Sequence, residues 1–196
     1  MNKQKITEFF DRLSHSWDSM LTPDENKMNE ILNAANVKDG VSILDIACGT
    51  GVMFDYYLKH NPKKITGVDI SPGMLKEAER KYSDNEKITL LCADAEEYSF
   101  SEKYDCCVIF NAFPHFPNPE KLIKNLSVSL NGGGTLTVAH DRGRKAIDAH
   151  HTAEANEVSR GLMRETDLAE MLRSLGFKNI CTRTDDTIYI VSAKKQ

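Results

Sequence analysis

The sequence predicts an α/β fold: a three-layer sandwich with helices on both faces of a mostly parallel, seven-stranded sheet whose last strand is antiparallel. Three observations carry this. Strand-like and helix-like runs alternate along most of the 196 residues, the pattern of a parallel sheet with crossover helices. The run Tyr104–Phe110 is almost continuously apolar, as expected of a strand buried on both faces. Phe177–Thr184 and Thr187–Ala193 close the chain with only Asp185-Asp186 between them, and so short a loop predicts an antiparallel hairpin.

The elements follow in order. Residues 4–19 read as a short helix and then a loop that carries Trp17. Thr22-Pro23-Asp24 is a start signal for a helix reaching Ala35. Val41–Ile46 is a strand and Gly51–Lys59 a helix. Lys64–Ile70 is a strand, after which Ser71-Pro72 opens a helix to Tyr82, serine as cap and proline in the first turn. Ile88–Cys92 is a strand, and the stretch from Ala93 to Glu102 is short and polar. Beyond Tyr104–Phe110 come a helix over Pro119–Leu130, a turn at Asn131-Gly132-Gly133-Gly134 and a strand over Thr135–Ala139. Thr166–Leu175 is helical, with Gly176 at its C-terminal end. There is no internal repeat or linker. Residues 1–196 therefore read as a single domain: an N-terminal helical segment 1–37, a core 38–196, and within it a polar insertion 141–163.

Composition narrows the function classes. A hydrophobic fraction of 40% with 28% charged residues is that of a soluble globular protein. A net charge of −4 disfavours nucleic acid as the partner, because phosphate neutralisation dominates such binding. No run is long and apolar enough to cross a bilayer, and no signal-peptide core follows the basic start, so a cytoplasmic protein without a membrane partner is expected. Five cysteines, with no C-x-x-C pair, fit the reduced thiols of that compartment.

In a parallel sheet, ligands bind outside the carboxyl ends of the strands, where strand order reverses. The run Ile43-Leu44-Asp45-Ile46-Ala47-Cys48-Gly49-Thr50-Gly51 passes from strand into small residues, and Val52–Leu58 restarts at helical spacing. Such a corner lets a ligand approach the backbone and presents unpaired N–H groups. Asp69 ends the second strand 18 residues after Gly51, and its two oxygens suit the two hydroxyls of a ribose; a solvated loop aspartate is the alternative. Asp94, at the third strand end, suits an adenine amino group or, alternatively, caps Ala95-Glu96-Glu97. A dinucleotide motif G-x-G-x-x-G would fall on Ala47, Gly49 and Val52, two glycines short, which counts against a nucleotide-dependent oxidoreductase.

Taken together, these motifs resemble the class I S-adenosylmethionine-dependent methyltransferases. Ile43–Gly51 is similar to their first motif, Gly67–Leu75 to the second, Cys92-Ala93-Asp94-Ala95 to the third, and Tyr104-Asp105 with its apolar strand to the fourth. The resemblance covers roughly residues 38–195, and Ala47 departs from it where glycine is common. It implies a Rossmann-like methyltransferase fold, S-adenosylmethionine as cofactor, and roles for the matching positions. Ala47, Gly49 and Gly51 would meet the methionine part, and Asp45 would order that loop or reach the amino group through water. Asp69 would hold the ribose, Ile70 and Met74 would flank adenine, and Asp94 and Ala95 would face its edge. Asn111 would lie beside the reacting methyl.

The acceptor is expected to be a small molecule, because only the N-terminal segment and residues 141–163 are left to shape a pocket. Methyl transfer from a sulfonium needs alignment, and a base only when the nucleophile arrives protonated. His115, after the fourth strand, and His140, ending the fifth, are candidate catalytic bases; the alternative for each is a polar loop residue. His115, His140, Asp141, His150 and His151 also form a candidate divalent-metal set, although their spacing matches no compact metal signature. Phe9, Phe10 and Trp17 are candidates for a lid or for ordinary core. A non-catalytic S-adenosylmethionine-binding partner on the same fold is the alternative to an enzyme.

Overall fold

The computed structural model describes residues 1–148 and 157–196. Its strands are β1 (Ser42–Ile46), β2 (Lys64–Asp69), β3 (Ile88–Cys92), β4 (Tyr104–Phe110), β5 (Leu130–His140), β6 (Lys178–Thr184) and β7 (Tyr189–Lys194). They make one seven-stranded sheet in the order β3-β2-β1-β4-β5-β7-β6. Only β7 is reversed, pairing antiparallel with both β5 and β6. The order turns back between β1 and β4, so the crevice beyond their carboxyl ends is the place for a ligand.

The helices are α1 (Lys3–Leu13), α2 (Glu25–Ala34), α3 (Phe54–Leu58), α4 (Pro72–Tyr82), α5 (Pro119–Ser129) and α6 (Glu165–Ser174), and a 3₁₀ stretch, Ser14–Met20, continues from α1. Side-chain oxygens satisfy the first free N–H groups: Asn2 caps α1, Asp24 caps α2, and Ser71 accepts from the Met74 N–H of α4 at 3.0 Å. Strand alternation divides the core. Leu44, Ile46 and Ile109 pack against Leu122, Leu126, Leu168 and Leu172 of α5 and α6. Ile43, Ile65 and Val108 face Met28, Ile31, Phe54 and Tyr57 of α2 and α3. Val108 and Ile109 are both fully buried on opposite faces, which is why β4 reads as an unbroken apolar run.

Two expectations change. The glycines at 131–134 do not stand outside the sheet. Leu130 already pairs with Tyr104, a register shift absorbs the glycines before Thr135 meets Cys106, and Gly133 and Gly134 bond with the backbone of Lys195. The helix expected from Gly51 starts only at Phe54, because residues 51–53 are spent on the turn. Among the described residues, no helix is long and apolar enough to cross a membrane.

Candidate active site

The site begins where β1 and β4 end. Ala47 and Asn111, the residues just beyond them, both take left-handed backbone angles, φ 54° and 51°, as do Gly49 at 56° and Gly51 at 82°. For alanine that conformation costs roughly 1–2 kcal/mol; asparagine tolerates it better. The two glycines serve different ends. A Cβ on Gly49 would meet only Trp17 Nε1 at 3.9 Å and Met74 Sδ at 4.0 Å, so the turn there is an open cradle. A Cβ on Gly51 would sit 2.7 Å from the Phe54 ring and 3.0 Å from Tyr82. Gly51 does not line the cleft, and its missing side chain makes room for the core behind the turn.

Asp69 joins the turn to α4. Its Oδ2 accepts from the Gly49 N–H and its Oδ1 from the Ser71 N–H, each at 2.8 Å. Burial pushes its carboxyl up to about 6, although those backbone bonds pull the other way. Each oxygen keeps lone-pair capacity for a further donor. Asp45 is only 1% exposed and does not line the cleft. Burial, reinforced by the charge of Asp69, pushes its carboxyl well above the ordinary carboxylate range. Its Oδ2 has no hydrogen-bond partner among the described residues.

The cleft above this floor holds about 900 Å³ of empty space, its open mouth included. Ile70, Met74, Asp94 and Ala95 line one end, and Phe110, Asn111, Ala112 and His115 the other. The N-terminal segment supplies the facing wall through Lys3, Ile6, Phe10, Trp17 and Leu21. It is tied to each strand-end loop in turn. Lys3 Nζ lies 2.5 Å from Asp94 Oδ2 and 2.7 Å from Glu96 Oε2. Asp11 Oδ1 accepts from the Ser71 hydroxyl at 2.5 Å and the Gly73 N–H at 2.8 Å. Asp18 accepts from the Thr50 hydroxyl at 2.5 Å and pairs with Lys81 at 2.7 Å. Burial works against the charge of Asp18, but these bonds outweigh it and lower its pKa. Asp94 Oδ1 meanwhile accepts from the Glu96 N–H at 3.0 Å, so the capping alternative holds beside its place in the cleft. No motif pointed to Lys3; only the folded chain brings it 91 positions across to Asp94.

His115 lines the cleft from a 3₁₀ turn, Phe113–His115. Its Nδ1 is 2.9 Å from the Val158 carbonyl, which can only accept, so Nδ1 carries the proton and Nε2 the lone pair of the neutral ring. Asn111 lines the cleft, but its side chain is engaged: its amide donates to Asp141 Oδ1 at 3.0 Å and its oxygen accepts from the Asp141 N–H at 3.2 Å. It ties the ends of β4 and β5 together. His140 is only 3% exposed, packs its ring across Tyr189 of β7 and does not line the cleft. The strand end put it at the rim, but alternation turns its side chain into the layer under α6. The described members of the expected metal set are not brought together: among the described residues no group of three or more His, Cys, Asp or Glu side chains can hold an ion. His115 turns to Val158, His140 to Tyr189 and Asp141 to Asn111; His150 and His151 lie outside the described residues.

The chemistry of the lining is compatible with an adenosyl sulfonium: the turn at Gly49 is open, Asp69 keeps acceptor capacity, and Ile70, Met74 and Ala95 give apolar surface beside Asp94. Comparison with known proteins agrees. A family model described as a methyltransferase domain matches residues 43–134. The chain is 29% identical over 140 residues to a malonyl-[acyl-carrier protein] O-methyltransferase of Priestia megaterium, covering 69% of this chain and 51% of that protein. It is 32% identical over 137 residues to one from Anoxybacillus flavithermus, covering 69% and 52%. The chain thus spans about half the length of these relatives. Magnesium protoporphyrin IX methyltransferase from Synechocystis PCC 6803, solved with bound SAH, shares the fold at TM-score 0.74 and 16% identity, with 100% of both chains covered. The [4+2]-cyclase SpnF does so at TM-score 0.78 and 16% identity, covering 99% of this chain and 96% of that one. Four motifs in order, the sheet with its reversed β7, and these matches converge: residues 43–134 match a methyltransferase domain, and the chain is similar to the class I S-adenosylmethionine-dependent methyltransferases.

Proposed function

We propose that this chain transfers a methyl group from S-adenosylmethionine to an oxygen of a small, largely apolar molecule. The observation that carries the reading is the shape of the cleft. An acid-and-glycine cradle at the ends of β1 and β2 opens directly onto an aromatic chamber of Phe10, Trp17 and Phe110 with one imidazole, His115, on its wall. When bound, the cofactor supplies a methyl carbon already activated by positive sulfur. The protein's share is to bind, align and exclude water. Ala47 and Gly49 hold the methionine part, Asp69 the ribose hydroxyls, Ile70 and Met74 the adenine faces, and Asp94 with Ala95 the adenine edge. Asn111 shapes the wall beside the methyl rather than touching it through its amide. His115, not His140, is the proposed base, since it lines the cleft with Nε2 as its proton-accepting nitrogen. The chamber walls are apolar, which favours an acceptor with little charge near the reacting atom, and the similarity to O-methyltransferases supports oxygen as that atom.

The test has two stages. Titration calorimetry with SAH is expected to show saturable binding, and none would refute the cofactor assignment. Tritium transfer from labelled S-adenosylmethionine is then measured over a panel of small hydroxylated acceptors, with His115→Ala as control. A fold shared with a [4+2]-cyclase does not by itself commit the site to methyl transfer. Tight SAH binding with no transfer to any acceptor would favour a non-catalytic cofactor-binding protein instead.

A further inference from the structure

We propose that Phe10 of α1 is a positioning residue for His115, so that docking of the N-terminal segment completes the active site rather than merely covering it. The inference rests on the reading of His115 as the base.

The Phe10 ring stands perpendicular to the His115 ring, with interplanar angle 86° and centroids 5.0 Å apart. It is itself braced by two rings of its own segment: Phe9 at 5.3 Å and 87°, and Trp17 at 5.6 Å and 75°. Perpendicular contacts of this kind are the preferred geometry of ring pairs, and a braced ring cannot give way when its neighbour swings. A further restraint on the imidazole, the Val158 carbonyl, leans on the same segment. Val158 is buried against Ile6 of α1, with Phe9 and Phe10 packed around the pair. The Arg160 N–H donates to the Pro114 carbonyl at 2.9 Å, pinning the 158–160 strip to the turn that carries His115. Rotating the imidazole by half a turn would exchange Nδ1 for a carbon and break the bond to Val158. Phe10 opposes that rotation sterically, and Ile6 keeps the carbonyl in place. With α1 undocked, the Phe10 contact is lost and Val158 loses its packing against Ile6, so the hold on the imidazole weakens.

The chain therefore has a reason to build one wall of its site from a segment outside the sheet. Water-exposed conformations, with α1 away, would have a loosely held base; the closed conformation has an oriented one.

The experiment reads the imidazole directly, on the full chain. Long-range ¹H–¹⁵N spectra of uniformly labelled protein resolve histidine tautomers, with His115→Gln identifying the resonance. In the wild type, His115 is expected in the Nδ1–H form. Phe10→Leu, which keeps an apolar side chain but removes the ring, is expected to raise the minor tautomer or broaden the resonance. The size expected is roughly two- to tenfold in population, the worth of a perpendicular ring pair. Phe10→Tyr should restore the wild-type spectrum. Should Phe10→Leu disrupt α1, Phe10→Met keeps more of the side-chain volume and is read in the same way. A His115 spectrum unchanged in the leucine or methionine variant, or equally perturbed in Phe10→Tyr, would overturn the proposal. SAH titration of the wild type tests the methyltransferase reading separately, because the histidine spectra need no ligand.

Discussion

Replacing Asp69 with asparagine tests the centre of the site. In the native protein both carboxylate oxygens already accept a backbone N–H, Gly49 on one side and Ser71 on the other, at 2.8 Å. Each has capacity for one more donor, which is what two ribose hydroxyls require. Asparagine keeps one acceptor and turns the other into an NH₂ that faces an N–H group. Hydrogen bonds to a charged acceptor are worth about 1.5–3 kcal/mol each, so losing one and weakening the other should raise the SAH dissociation constant about 10- to 100-fold at pH 7.5. The pH dependence sharpens the test. Burial lifts the Asp69 carboxyl to about 6. At pH 5 only about a tenth of it is ionised, and wild-type affinity should fall about tenfold between pH 7.5 and 5, while Asp69→Asn stays flat. Stability moves in the linked direction. An acid with a raised folded pKa binds its proton more tightly in the native state, so its contribution is full below about pH 4 and lost as pH rises through about 6. That loss is about 3 kcal/mol, and the stability of Asp69→Asn relative to wild type should rise by this amount between pH 4 and 7.5. Calorimetry gives the affinities and urea denaturation the stabilities. A variant that binds SAH within threefold of wild type, or a wild-type affinity independent of pH, would refute the reasoning.

The remaining predictions concern the surroundings of the site. Gly51→Ala combines a left-handed backbone with a Cβ 2.7 Å from Phe54, and should lower stability by about 2–4 kcal/mol. Gly49→Ala, with only the backbone term, should lose about 1–2 kcal/mol, and thermal melts that rank the pair the other way would contradict the division of labour. Asp45→Asn replaces a carboxyl whose charged form burial disfavours with a neutral group of the same shape, so stability at pH 7 should change by less than about 1 kcal/mol in denaturant titration. Lys3→Ala leaves Glu96, whose side chain is fully buried, without its cation. Amide exchange in α1 should accelerate several-fold, measured by mass spectrometry, with β4 unaffected.

The sheet was legible because its signals are local. The limits of β3 and β4 follow directly from their apolar runs, and Asp24 and Ser71 announced α2 and α4 through capping chemistry that needs no tertiary context. β5 was misread at its start, because three glycines look like a turn unless the Lys195 backbone is there to pair with them. Spacing put Asp69 and Gly49 at strand ends, and both line the cleft, since the end of a strand fixes where the following residues emerge. Which way side chains then turn was not legible. His140 is the last residue of β5 and its sheet face turns it onto Tyr189, whereas His115 lies beyond β4 on a 3₁₀ turn that carries it into the cleft. Gly51 looked like a second ligand-approach glycine and proved to make room for Phe54.

The sequence by itself determined the order of strands and helices, the resemblance to methyltransferases, and the strand-to-helix corner at the end of β1, because periodicity, caps and glycine spacing act over a few residues. Only the tertiary structure decided what closes that corner. Lys3, Phe10 and Trp17 form its outer wall, and the Val158 carbonyl meets the His115 ring, through contacts between segments far apart in the chain. Such contacts leave no local pattern, since they depend on where the folded sheet carries each loop.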